Sequence, residues 1–171
     1  MNASRLAWLL IALAIFALCN LAAGQEATPY TIDHADAAAR EAADRIYAAR
    51  RVADRAAADG AAVRAAFVAH VQAIHALATV ADKAEYMLDN ATGIRTATAA
   101  YLALRGECDN RIADLESLAT QYGPIVQGIQ DHVAANPDDS EAAGYLGKLT
   151  KLTARRAAVL ADLQAARAAL D

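Results

Sequence analysis

The sequence predicts an all-α fold: an antiparallel bundle of three to four long helices, coiled-coil-like and alanine-rich, placed after an N-terminal signal segment. Three observations carry this. Over residues 35–88 apolar side chains recur in alternating steps of four and three, as Ala35, Ala39, Ala42, Ile46, Ala49, Ala53, Ala56, Gly60, Val63, Phe67, His70, Ile74, Leu77, Ala81, Ala84 and Leu88. That is the heptad spacing of a helix burying one stripe against a partner, and only His70 interrupts it with a polar group. No stretch alternates in the manner of a strand, and 49 of the 171 residues are alanine, the best helix former, against two Phe and one Trp. An alanine buries one methyl, roughly 0.8 kcal/mol where a leucine gives two to three times as much. Stability must therefore come from helix length and close approach of the axes.

The leader comes first. Arg5 and the amino terminus form a positive end, residues 6–18 an apolar core, and Ala22-Ala23-Gly24 a small-residue cleavage site, the three parts of an export signal. Cleavage after Gly24 leaves 15 basic and 20 acidic residues, a net charge of −5, which argues against a general nucleic-acid binder. Retained instead, residues 6–23 make a short membrane anchor weakened by Asn20. A lipid on Cys19 is a third fate, although Leu18 stands where the lipoprotein pattern wants a small residue. With Cys19 removed, Cys108 is the lone cysteine of the mature chain, so it is either buried or pairs with a second molecule.

Residues 25–32 read as a polar linker around Pro29, and residues 33–171 as the bundle domain. Thr31 or Asp33 caps the first helix, with Asp36 in its first turn. Asp36 with Arg40 and Glu41 with Arg45 are i, i+4 pairs on what reads as a solvated face. Asp59-Gly60 marks a turn between helices or a kink in one long helix. Residues 61–81 carry only Arg64, His70, Gln72, His75 and Thr79 as polar side chains, so residues 61–89 read as a helix enclosed by the bundle. Asp89-Asn90-Ala91-Thr92-Gly93 is a turn. The next stripe runs Ile94, Thr98, Tyr101, Arg105, Cys108, Ile112, Leu115, Ala119 and Tyr122 to Val133, with a kink or break expected near Tyr122, at Gly123-Pro124. Residues 136–140 turn again, and a last stripe follows at Tyr145, Leu149, Leu152, Arg156, Val159, Leu163, Ala166 and Leu170. Four segments of similar length, 33–59, 61–89, 94–122 and 138–170, suit an up-and-down bundle.

Few residues suggest chemistry. His70 and His75 stand about 140° apart on a helix, too far round to share one metal. A composite site of His70, Cys108 and Met87 from neighbouring helices is the metal- or ligand-binding candidate. Asp82, Glu85 and Asp89 form an acidic stripe without the glycine-bearing loop of a calcium site. Lys148, Lys151 and Arg155, with Arg156 beside them, form a basic stripe suited to an anionic partner such as lipid headgroups or an acidic helix. Asn90-Ala91-Thr92 matches a glycosylation acceptor. Gly-x-Ser-x-Gly and phosphate-cradling glycine loops are absent. The reading is therefore an exported, non-enzymatic component of the cell envelope, periplasmic or extracellular, needing no cofactor and acting on a protein partner or a second copy through its helices. A bundle binding a small ligand or metal near His70 and Cys108, and a membrane-anchored adaptor with a coiled stalk, are the alternatives.

Overall fold

A computed structural model describes residues 32–171; the leader and all of the linker but Ile32 lie outside the described residues. Within them the chain forms four helices and no strand: α1 (Ile32–Ala76), α2 (Val80–Asp89), α3 (Ala91–Ala135) and α4 (Ser140–Ala169). The long helices α1, α3 and α4 all touch one another as a helical bundle, and α2 packs only lightly on α1 and α3.

The periodic stripes become the core. Ala35, Ala39, Ala42, Ile46, Ala49, Ala53 and Ala56 are buried, as are Tyr101, Leu104, Cys108, Leu115, Leu118 and Ile129 of α3 and Leu149, Val159 and Leu163 of α4. Small side chains on α1 thus meet large ones on its two neighbours, which fills the space between closely set axes. Arginines of α1 cross to those neighbours: Arg45 to Asp114 at 2.6 Å, Arg50 to Asp162 at 2.7 Å, and Arg55 to Glu107. Arg167 of α4 reaches Asp109 at 2.7 Å. Of the two i, i+4 pairs read as solvated, Asp36–Arg40 stays on its own helix, whereas Arg45 leaves Glu41 at 3.4 Å for the closer carboxylate on α3. Partner numbers fall along α3 as they rise along α1, from Arg45 beside Asp114 to Phe67 stacked on Tyr101 at 4.5 Å between ring centroids. Along α4 they rise together, from Arg50 beside Asp162 to Gly60 against Leu170.

The structure decides four of the sequence expectations. Of the two readings of Asp59-Gly60, a turn between helices is excluded: α1 runs through it as one long helix, and the Leu170 side chain lies 3.5 Å from where a Gly60 Cβ would stand, an ordinary contact. The break comes at residues 77–79, where Thr79 caps α2 by accepting the Asp82 amide at 3.1 Å. Gly123-Pro124 does not interrupt α3, because the missing proline amide costs one bond on a solvent-facing side where water can satisfy the freed carbonyl. The four matched segments are therefore two helices of 45 residues, one of 10 and one of 30.

The fourth of them, a correction, sets the shape of the described domain. Residues 61–89 are not enclosed: from residue 61 to residue 100 no side chain is buried. The reason is length. A 45-residue helix spans about 68 Å and a 30-residue one about 45 Å, and α4 ends beside Gly60 and Arg64, with Arg64 donating to the Asp171 carbonyl at 3.3 Å. Beyond that level only α1 and α3 continue, so Val63, Phe67, Ile74 and Leu77 are half-buried. The apolar character of this stretch is mostly alanine, whose methyl is cheap to leave in water. Leu163→Ala, within the three-helix section, is expected to lower the unfolding free energy by about 2–5 kcal/mol. Leu77→Asp, past the end of α4, should cost less than half as much. Urea unfolding of both variants checks this, and equal losses would contradict the step in packing.

Candidate functional site

The first candidate grouping is not assembled. His70 lies on α1 with Nδ1 3.1 Å from the Tyr86 hydroxyl of α2, and its ring rests on Gly93, where a Cβ would stand 3.4 Å from Nε2. Cys108 is fifteen residues past Gly93 along α3, roughly 22 Å at 1.5 Å per residue. It is fully buried, and burial pushes its thiol above the ordinary range. A disulfide between copies would require the core to open around it. Met87 is half-exposed on α2. Among the described residues no three His, Cys, Asp or Glu side chains gather as a metal would need.

The basic stripe divides. Lys148, Lys151 and Arg155 are exposed, with Lys148 4.5 Å above the Tyr145 ring of its own helix. None of the three forms an ion pair among the described residues. Arg156 turns inward instead and donates from Nη1 to the Leu115 carbonyl at 3.0 Å. The acidic stripe Asp82, Glu85 and Asp89 is exposed as well.

Arg156 stands at the edge of a cleft of about 210 Å³ between the three long helices. The cleft exists because Ala42, Ala119 and Gly123 bring too little side chain to the point where the helices face each other. Ile46, Leu118, Val126, Leu149 and Leu152 make its walls apolar. Its polar groups are largely committed: Thr153 Oγ1 donates to the Leu149 carbonyl at 2.9 Å, and Gln127 Nε2 to Asp131 at 2.8 Å. Tyr122 also lines it, and burial together with the adjacent Glu41 carboxylate pushes its phenol up to about 12. Arg156 keeps donors to spare and meets no carboxylate among the described residues. The space suits one ring or a short acyl chain carrying an anionic end.

The other unusual surface is α2. Its inner face consists of Lys83, Tyr86 and Asn90, all half-buried, whereas Val80, Met87 and Leu88 are 84%, 50% and 78% exposed. An amphipathic helix normally buries its apolar side. Here the polar side holds the helix down, through the Tyr86 hydroxyl on His70, while the Asn90 amide closes the helix end on the Tyr86 carbonyl at 2.9 Å, and the apolar side faces water. The heptad count had placed Leu88 in the buried stripe. The available clue was Thr79-Val80-Ala81-Asp82, a helix-start pattern that resets the phase after residue 78, so that the α1 stripe cannot be carried past it.

Among the described residues no helix is long and apolar enough to cross a membrane. No family model matches the chain, and no curated protein or solved structure matches it either.

Tyr122 provides a pH test of the cleft. A phenol that ionises near 12 in the folded chain and near 10 in the unfolded one stabilises the fold fully below pH ~10 and loses that contribution as pH rises toward 12. The urea midpoint should therefore fall across that window, and fall less in Tyr122→Phe. Identical slopes would mean that the phenol is solvated.

Proposed function

We propose that this chain is an exported, non-enzymatic component of the cell envelope, an antiparallel up–down–up bundle that works by contact, as a structural or assembly element. The observation carrying the reading is α2, a helix seated by polar groups with Val80, Met87 and Leu88 left in water. A large apolar side chain left uncovered forgoes about 1.5–3 kcal/mol of burial, and three on ten residues are accounted for by a partner that covers them. Support for export comes from the positive, apolar and small-residue sequence of residues 1–24. Cleavage after Gly24 releases the domain to the periplasm or the exterior, and retention of residues 6–23 makes it a membrane-anchored adaptor on the same side.

In the native host, mass spectrometry of the fractionated protein should find a chain beginning at Gln25. An intact leader in the membrane fraction selects the anchored form, and an intact chain in the cytosol overturns export. A photo-crosslinking residue at Leu88 should trap a protein adduct that the same residue at exposed Ala57 does not. Equal trapping at the two positions, or none, removes the contact role of α2.

A second reading, a ligand-binding bundle, is favoured by the cleft at Arg156 and moves from the His70 and Cys108 neighbourhood to that place. Octanoate should bind saturably by calorimetry and lose at least tenfold in Arg156→Gln, while octylamine should not bind. Equal binding of both probes would reject the reading.

A further inference from the structure

From the placement of its charges we infer that the partner of α2 is the outer face of α4 in a second copy of this chain, giving a head-to-tail contact. The inference rests on the contact role proposed above and names its partner. Asp82, Glu85 and Asp89 lie at i, i+3 and i+7 on α2, exposed and without an ion pair among the described residues. Lys148, Lys151 and Arg155 lie at i, i+3 and i+7 on α4, equally exposed and equally unpaired. Two helices laid side by side bring stripes of identical spacing into register, so each carboxylate meets one cation.

The apolar surfaces match in the same orientation. On α2, Ala81, Ala84 and Leu88 adjoin the acidic stripe; on α4, Gly147, Thr150, Ala154 and Ala158 adjoin the basic one, all of them exposed. One helix presents the Leu88 side chain among alanines and the other a shallow track of small residues against which a leucine can seat. Either stripe alone is an ordinary solvated face. Opposite sign, shared spacing and a leucine set against small residues point together to one occupant.

The two faces cannot meet within one molecule. Arg156 is anchored at Leu115, next to the Asp114 that holds Arg45, while α2 is anchored at His70. Those levels are twenty-five residues apart on α1, roughly 38 Å. A surface that must pair with a different surface on another copy is heterologous, and unless a rotation closes it the result is an open chain of molecules. Exposed ion pairs weaken with salt, so the association should be weak and salt-sensitive.

The test is sedimentation velocity of the mature chain purified from its host. The wild type should associate with rising concentration at low salt and revert to single chains near 1 M salt, where the screening length is about 3 Å. Glu85→Lys and Lys151→Glu should each shift association at least tenfold to higher concentration, and the doubly reversed chain should recover it. Leu88→Ser should weaken association with no change in melting temperature, which separates a lost contact from a lost fold. A wild type that stays a single chain at all concentrations, single reversals without effect, or a double reversal as weak as the singles would each overturn the pairing. A Leu88 crosslink to a protein of another mass would then leave the contact role standing while this partner fell.

Discussion

Everything in this domain depends on how closely α1 can be approached. Its buried stripe from Ala35 to Ala56 contains one side chain larger than a methyl, Ile46, so the neighbouring axes can move inward until leucines from α3 and α4 touch its backbone surface. Packing of this kind returns little per residue on the α1 side, and the burial that matters comes from Leu104, Leu115, Leu118, Val159 and Leu163 pressed against it. Close axes also explain the arginines. The guanidinium groups of Arg45, Arg50 and Arg55 span the gap to the next helix, and the carboxylates they find there distinguish one neighbour from the other. Arg50–Asp162 and Arg55–Glu107 are exposed and add little stability, Arg45–Asp114 is part-buried, and all three penalise a helix placed in the wrong position or sense.

From close packing follows the consequence of unequal length. Each large side chain needs surroundings on both flanks to become dry, and this is available only where three helices run side by side. Once Leu170 closes against Gly60, α1 and α3 have only each other and the lightly packed α2. Phe67 stacks on Tyr101 across the α1–α3 seam, and outward from it the same heptad positions are half-buried at best. The short helix α2 packs lightly on α1 and α3, and it is tethered through the Tyr86 phenol on His70 rather than through a buried apolar face. The far end of the domain therefore contributes little to cohesion and is correspondingly free to be shaped by recognition.

Periodicity revealed more of this fold than of its surfaces. The three stripes, the turn at residues 136–140 and the all-helical class were legible because a repeat of seven sums many weak preferences over forty residues. Local punctuation was less informative. Gly60 suggested a turn or a kink and lies inside α1 in ordinary contact with Leu170, and Pro124 suggested a kink or a break and lies inside α3 on a wet side, since neither residue carries information about what stands opposite. Conversely, the true break at residues 77–79 contains no glycine or proline, and its only signal is the threonine that caps the following helix. Enclosure of residues 61–89 was misjudged for a related reason: alanine counts as apolar in a pattern, although it is nearly indifferent to water. The cleft was not legible, because it is a shortage of volume shared by Ala42, Ala119 and Gly123 on two helices that sequence alone does not bring together.

The fate of the basic cluster shows how one helix turn divides two kinds of recognition. Arg155 and Arg156 are adjacent in sequence and about 100° apart around α4, enough to put the first in solvent beside Lys148 and Lys151 and the second at the mouth of the cleft. A cation in water acts at a distance and weakly, in proportion to how many like it are grouped. A cation at the edge of an apolar hollow, held by one carbonyl and lacking a carboxylate, interacts more strongly with whatever anion reaches it, because less water competes. Lys148, Lys151 and Arg155 therefore make sense as a group facing a charged surface, whereas Arg156 makes sense singly, facing a small molecule. A swap of charge along the stripe and a truncation at Arg156 address separate partners, although the residues concerned lie within about two and a half turns of one helix.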